Sequence, residues 1–166
     1  MTDALAAFNT TLQQWIDCLD GYTPETLRRA PAPGEWSIGQ VYTHLIADTG
    51  FFASEMWRCL SGEGAASGDM HPMAQRMFVV GSFPDTRLEG PSTGVFVPQP
   101  DSIAEVREQL LSIRATVNAL DFTQPSGKTE HPGFAFFSAL DWLRFAEMHM
   151  RHHFRQKKRI DAVIFG

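Results

Sequence analysis

The sequence predicts an all-α four-helix bundle, and three observations carry that prediction. Four long segments repeat apolar residues at helical spacing, Gly and Pro clusters separate them, and strand-like alternation is nearly absent. The first helix runs from Asp3 to about Leu19, with Leu5, Phe8, Leu12, Trp15, Ile16 and Leu19 on one stripe. Asp3 is placed to cap it and Gly21 to stop it. Thr23-Pro24-Glu25 opens a short turn of helix, after which Ala30-Pro31-Ala32-Pro33-Gly34 forces an extended connection. Ser37 with Gln40 forms a capping-box pattern for the second long helix, which continues through Val41, Leu45, Phe51, Phe52 and Trp57 to about Leu60. Ser61-Gly62-Glu63-Gly64 ends it.

A less regular middle follows. One amphipathic piece spans Pro72 to Val80, and the next segment, carrying Pro84, Pro91, Pro98 and Pro100, is excluded from helix and reads as a long ordered loop or lid. Ser102 and Glu105 make a second capping box ahead of a helix with Ile103, Val106, Leu110, Leu111, Ile113, Val117 and Leu120. After another loop, Ser138 with Asp141 caps a last helix through about Ile160. Val95-Phe96-Val97 and Val163-Ile164-Phe165 are too short to build a sheet. The 166 residues contain no internal repeat and no dividing linker, so one domain over 1–166 with a single core is expected.

Composition narrows the partners. Fourteen Lys and Arg against nineteen Asp and Glu give a net charge of −5, which repels phosphate backbones and argues against nucleic acid. No apolar run of about eighteen residues occurs, and Met1-Thr2-Asp3 lacks the flank of a signal peptide, so a cytoplasmic protein without membrane contact is expected. Cys18 and Cys59 stand in no paired spacing and read as reduced, buried, non-catalytic thiols.

Polar residues fall where the core should be. At 100° per residue, His153 lies within about 40° of His149 on the last helix, in the stripe that also holds Trp142, Phe145, Ala146 and Ile160. His152 lies at the edge of that stripe. On the second helix His44, Asp48 and Glu55 fall together beside Phe51. Burying imidazoles and carboxylates costs several kcal/mol each, on the order of a lost hydrogen bond or more, unless they are paired or ligate a metal. Histidines at i and i+4 present both rings to one ion, and a third from a neighbouring helix leaves coordination positions open. The candidate ligands are therefore His44, His149 and His153, with His152, an i, i+3 partner of His149, in competition. A histidine satisfied by backbone or carboxylate is the plain alternative for each alone.

Asp48, one turn after His44, is a candidate to orient a ligand imidazole or to act as general base, and Glu55 reads as a carboxylate paired at the bundle edge. Gln156 is placed to anchor a ring nitrogen or a bound water, and His131, before a proline, to contact substrate from a loop. His71 and Phe134, Phe136 and Phe137 read as turn and packing residues, and Trp36 as an anchor ahead of the second helix. The basic run Arg151, Arg155, Lys157, Lys158 and Arg159 suits a helix C-terminus or an anionic small molecule.

Trp36-Ser37-Ile38-Gly39-Gln40-Val41 with His44-Leu45, together with His149-Met150-Arg151-His152-His153 and Gln156, resembles the DinB-like superfamily of metal-binding four-helix bundles. The His131-Pro132 loop, Trp142-Leu143-Arg144-Phe145, and the crossing at Phe83-Pro84 and Gly90-Pro91 extend the likeness over nearly the whole chain. The resemblance implies an up-down-down-up bundle, often a homodimer, with His44, His149 and His153 holding zinc or nickel, and it selects His153 over His152. It also implies a range of activities. Some relatives transfer low-molecular-weight thiols such as bacillithiol or mycothiol, and others have no assigned reaction. The expected function is thus metal-dependent chemistry on a small molecule, thiol transfer or hydrolysis, by a metal-activated nucleophile. The alternatives are a non-catalytic metal-binding stress or interaction protein, completed by Glu55 or His152 as fourth ligand, and a purely structural bundle.

Overall fold

The structure, a computed structural model, describes residues 3–64, 67–84 and 96–166. Six helices and one β-hairpin follow in the order α1 (Asp3–Cys18), α2 (Pro24–Arg28), α3 (Ile38–Leu60), α4 (Pro72–Val80), α5 (Ile103–Asn118), β1 (Lys128–His131), β2 (Ala135–Ser138) and α6 (Ala139–Ile164). A 3-10 turn over Leu19–Gly21 closes α1.

Four of these form the bundle. Helix α6 packs against α1 and α3, and α5 packs against the same two from the other side. Side-chain pairs fix the directions. Thr11 meets Glu147 and Tyr22 meets Asp161, so α1 and α6 run parallel. Asn9 meets Asn118 and Asp20 meets Arg107, so α5 runs against α1. His44 lies beside His153 and Phe52 beside Phe145, so α3 runs against α6. The order along the chain is up, down, down, up, which requires a long crossing between the two parallel neighbours in sequence, α3 and α5.

Local chemistry accounts for the helix ends. Ser37 accepts from the Gln40 amide while the Gln40 side chain accepts from the Ser37 amide, and Ser138 and Asp141 repeat that reciprocal arrangement at α6. At α5 only half of the expected box forms. Ser102 accepts from the Glu105 amide, but the Glu105 carboxylate accepts from Asp101, one residue earlier than the capping residue. The last helix continues to Ile164, which takes Val163 and Ile164 into helix and buries Ile164 against the core.

One expectation changes here. The stretch before α6 is not plain loop: β1 and β2 pair antiparallel, with Thr129 opposite Phe137 and His131 opposite Ala135. A two-stranded hairpin is marginal by itself. This one is fastened by the Trp142 indole N–H, which donates to Thr129 Oγ1 at 2.7 Å, and by the fully buried Phe137. Gly90, Pro91 and Val95 of the proline-rich crossing lie outside the described residues; its remainder, 96–100, is non-helical as expected.

The core is centred on Trp15, fully buried, whose indole N–H donates to Met150 O and whose carbonyl accepts from the Tyr42 hydroxyl. Its ring stacks on Phe154 at 4.5 Å. Three helices are thereby tied at one level. At the start of α3, a Cβ on Gly39 would sit 2.9 Å from Leu27 O and from Pro100 Cδ, so the absence of a side chain lets α2 and the 96–100 segment close on the helix. That segment is held by Gln40 donating to Val97 O and Ser37 donating to Gln99.

Candidate metal centre

Helix α3 brings His44 to the α6 face that carries His149 and His153. The two α6 histidines are four residues apart, one turn, so their rings meet edge to face on the same side of the helix, centroids 4.6 Å apart. The result is a cluster of Nε2 atoms: His44 to His153 is 3.2 Å, His153 to His149 is 3.2 Å, and all three ligand atoms lie within 4.8 Å of one another. Among the described residues, these three are the group whose atoms approach closely enough to share an ion. Donors around one ion with bonds of about 2.05 Å in tetrahedral order stand about 3.3 Å apart, so this spacing fits a coordination shell.

The protonation states agree. Burial pushes His149 well below the usual imidazole range, helped by the neighbouring His153 and His44. Burial, then His44, lowers His153 to about 4. Burial also lowers His44, opposed by the Asp48 carboxylate. Neutral imidazoles are the form that ligates. Gln156 sets one tautomer: its Oε1 accepts from His153 Nδ1 at 2.8 Å, which leaves the Nε2 lone pair aimed at the cluster. The His149 Nδ1 is buried with no hydrogen-bond partner among the described residues. Its ring is positioned instead by packing, edge-on to Phe52 at 5.6 Å and beside Phe83 at 6.0 Å. Trp36 stands over His44 at 5.4 Å, so the expected anchor is also a wall of the site.

The remaining candidates separate clearly. The Asp48 carboxylate lies 3.5 Å from His44 Nε2 and 3.6 Å from His149 Nε2, and burial raises its pKa against the opposing pull of His44. Glu55 is buried but bonded to Arg58, outside the cluster. His152 packs its ring on Phe83 at 5.2 Å and does not join the ligand atoms either. His131 does not reach the cluster as a loop contact. It ends β1, accepts from the Gly133 amide, and is sandwiched between Trp142 at 5.1 Å and Phe145 at 4.8 Å, where burial lowers it to about 4. His71 caps α4 by accepting from the Met73 amide. In the basic run, Arg151 bonds Glu147 and Gly81 O, and Lys157 pairs with Asp161. Cys18 and Cys59 are free thiols; Cys59 is buried as expected, whereas Cys18, at the end of α1, is only half-buried. Phe83 was not recoverable as a site residue from sequence, because it follows Gly81 and Ser82 outside any periodic element.

Three comparisons bear on this arrangement. The family model described as the DinB superfamily matches residues 5–156. Among solved structures, TT2238, described as a four-helix bundle protein, is 16% identical with a TM-score of 0.58 over 95% of this chain and 97% of its own. YfiT from Bacillus subtilis, described as a probable metal-dependent hydrolase with an unusual four-helix bundle topology, is 15% identical with a TM-score of 0.58 over 98% of this chain and 89% of its own. At such identities the likeness is one of fold. No curated protein matches the chain.

Proposed function

Since this chain belongs to the DinB superfamily, we propose that it is a divalent-metal-dependent enzyme acting on a small molecule, with His44, His149 and His153 as the protein's metal-holding imidazoles. The observation that carries the reading is the convergence of three Nε2 atoms, two of the distances being 3.2 Å, from helices that run in opposite directions. A bound divalent ion there would supply Lewis acidity, lowering the pKa of an adjacent water or thiol so that an anionic nucleophile exists near neutral pH. The protein's own residues provide the conditions. Burial favours the neutral form of the imidazoles, Gln156 fixes the His153 tautomer, and Phe52 and Phe83 pack their rings against His149.

Zinc or nickel is the proposed ion, both suited to imidazole nitrogen. The proposed reactions are transfer of a low-molecular-weight thiol to an electrophile and hydrolysis of an ester or amide; the naming of YfiT as a probable hydrolase supports the second. We further propose a cytoplasmic homodimer. Among the described residues no helix is long and apolar enough to cross a membrane, and Phe51 and Trp57 on α3 are about half exposed. Light scattering should give twice the 18.6 kDa of one chain.

The direct test is metal content and turnover. Purified protein should carry one divalent ion per chain, His149→Ala should bind less than a tenth as much, and the loaded protein should turn over bacillithiol, mycothiol or glutathione with electrophiles, or small esters and amides. A His149→Ala protein that keeps its full metal content would overturn the ligand assignment, and no turnover above free metal would overturn the enzyme.

A further inference from the structure

A carboxylate that orients a ligand histidine from behind contacts the nitrogen not used for the metal. Asp48 does not do this. Its Oδ2 faces two of the three nitrogens, 3.5 Å from His44 Nε2 and 3.6 Å from His149 Nε2, and must turn toward His153 to join the group of atoms that already approach one another. Both distances are beyond a hydrogen bond, yet both are close to the spacing of donors that share one ion of about 2.05 Å bond length. The described residues offer this carboxylate no Lys or Arg ion pair, and its side chain is 37% exposed, open enough to turn toward the centre without disturbing the core. Lone pairs of imidazole nitrogens and a carboxylate oxygen repel across such a gap unless a proton or a metal cation lies between them.

We propose that Asp48 is a fourth donor to the ion held by His44, His149 and His153, which makes the set three imidazoles and one carboxylate. The proposal rests on the metal-binding reading above and deepens it. Four protein donors close the shell of a tetrahedral zinc ion, whereas an ion that takes five or six donors keeps room for substrate. With Asp48 bound, turnover therefore calls for an ion that expands beyond four donors, and the carboxylate brings one negative charge to a site that would otherwise be neutral apart from the ion. It leaves the role of orienting an imidazole to Gln156.

Cobalt(II), whose visible and near-ultraviolet absorption reports its donors, is the probe. Titration of the wild-type chain should end at one equivalent. Asp48→Cys should also bind one equivalent and gain a thiolate-to-cobalt charge-transfer band that the wild-type spectrum lacks. Asp48→Ala should bind cobalt roughly 10- to 100-fold more weakly, with the d–d bands shifted, while its helical circular dichroism in the metal-free state stays unchanged. One equivalent bound by Asp48→Cys without the band, or affinity and spectrum of Asp48→Ala matching the wild type, would overturn the fourth donor and leave the three-histidine centre standing. A wild-type chain that binds no cobalt, zinc or nickel would instead overturn the centre as a whole.

Discussion

His153 donates its Nδ1 hydrogen to Gln156, and burial beside His44 holds its pKa at about 4, against an ordinary value of 6.5. Burial likewise holds His149 well below the ordinary imidazole range. In the unfolded chain both rings return to their ordinary value, so between pH 6.5 and about 4 the unfolded state binds protons that the folded state refuses. Stability must then fall as pH falls through that window, by up to about 1.4 kcal/mol per pH unit for each such imidazole. The raised carboxyl of Asp48 acts in the opposite sense at the acid end. Urea midpoints of the metal-free protein should decline from pH 7 to pH 4.5, and His153→Gln should make the decline shallower; a profile flat over that range would refute this. Helical projection alone places His44, Asp48, His149 and His153 on buried stripes, because a ligand set on two regular helices inherits their period. Phe83 and the stacking of His131 on Trp142 escaped it, since each depends on irregular chain returning to the bundle.

The elements differ in how much of their origin is local. Helices α3 and α6 begin at reciprocal caps that can be written down from the sequence, Ser37 with Gln40 and Ser138 with Asp141. The second is the more consequential. Ser138 is also the last residue of β2, so one residue ends the hairpin and caps the helix that carries two of the candidate ligands. Ser138→Ala should cost about 1 kcal/mol, seen as a lower denaturation midpoint with the slope unchanged. The hairpin itself left no readable pattern. Its strands are four residues each, and Thr129 is the single buried position in β1, too few alternations to distinguish from loop. Its reason for existing is tertiary, a bond from Trp142 and a slot for Phe137.

For the whole molecule, direction and order of helices decide where chemistry can occur. Parallel α1 and α6 are tied through Trp15, and Tyr42 of α3 is bonded to the same residue, so the ligand helices are held at a set level by contacts outside the centre. Trp15→Ala should destabilise the fold by roughly 3–5 kcal/mol, measured by denaturant unfolding in the presence of chelator. A loss under about 1 kcal/mol would mean the helices are aligned by something other than this core residue. The four-helix architecture was legible from spacing and breakers. Direction was not, because amphipathic stripes alone do not say which neighbour a helix turns toward; it came from the family likeness and is explained by the side-chain pairs between α1, α5 and α6.

The candidate ligands straddle the crossing that joins α3 to α5: His44 lies ahead of it and His149 and His153 lie after it. An ion bound there would be a clasp between the amino-terminal and carboxy-terminal halves of the chain, fastening what the backbone connects by only a single strand of polypeptide. A molecule severed within that crossing would keep its two pieces together for as long as the clasp and the bundle contacts endure, and a chelator would hasten their parting.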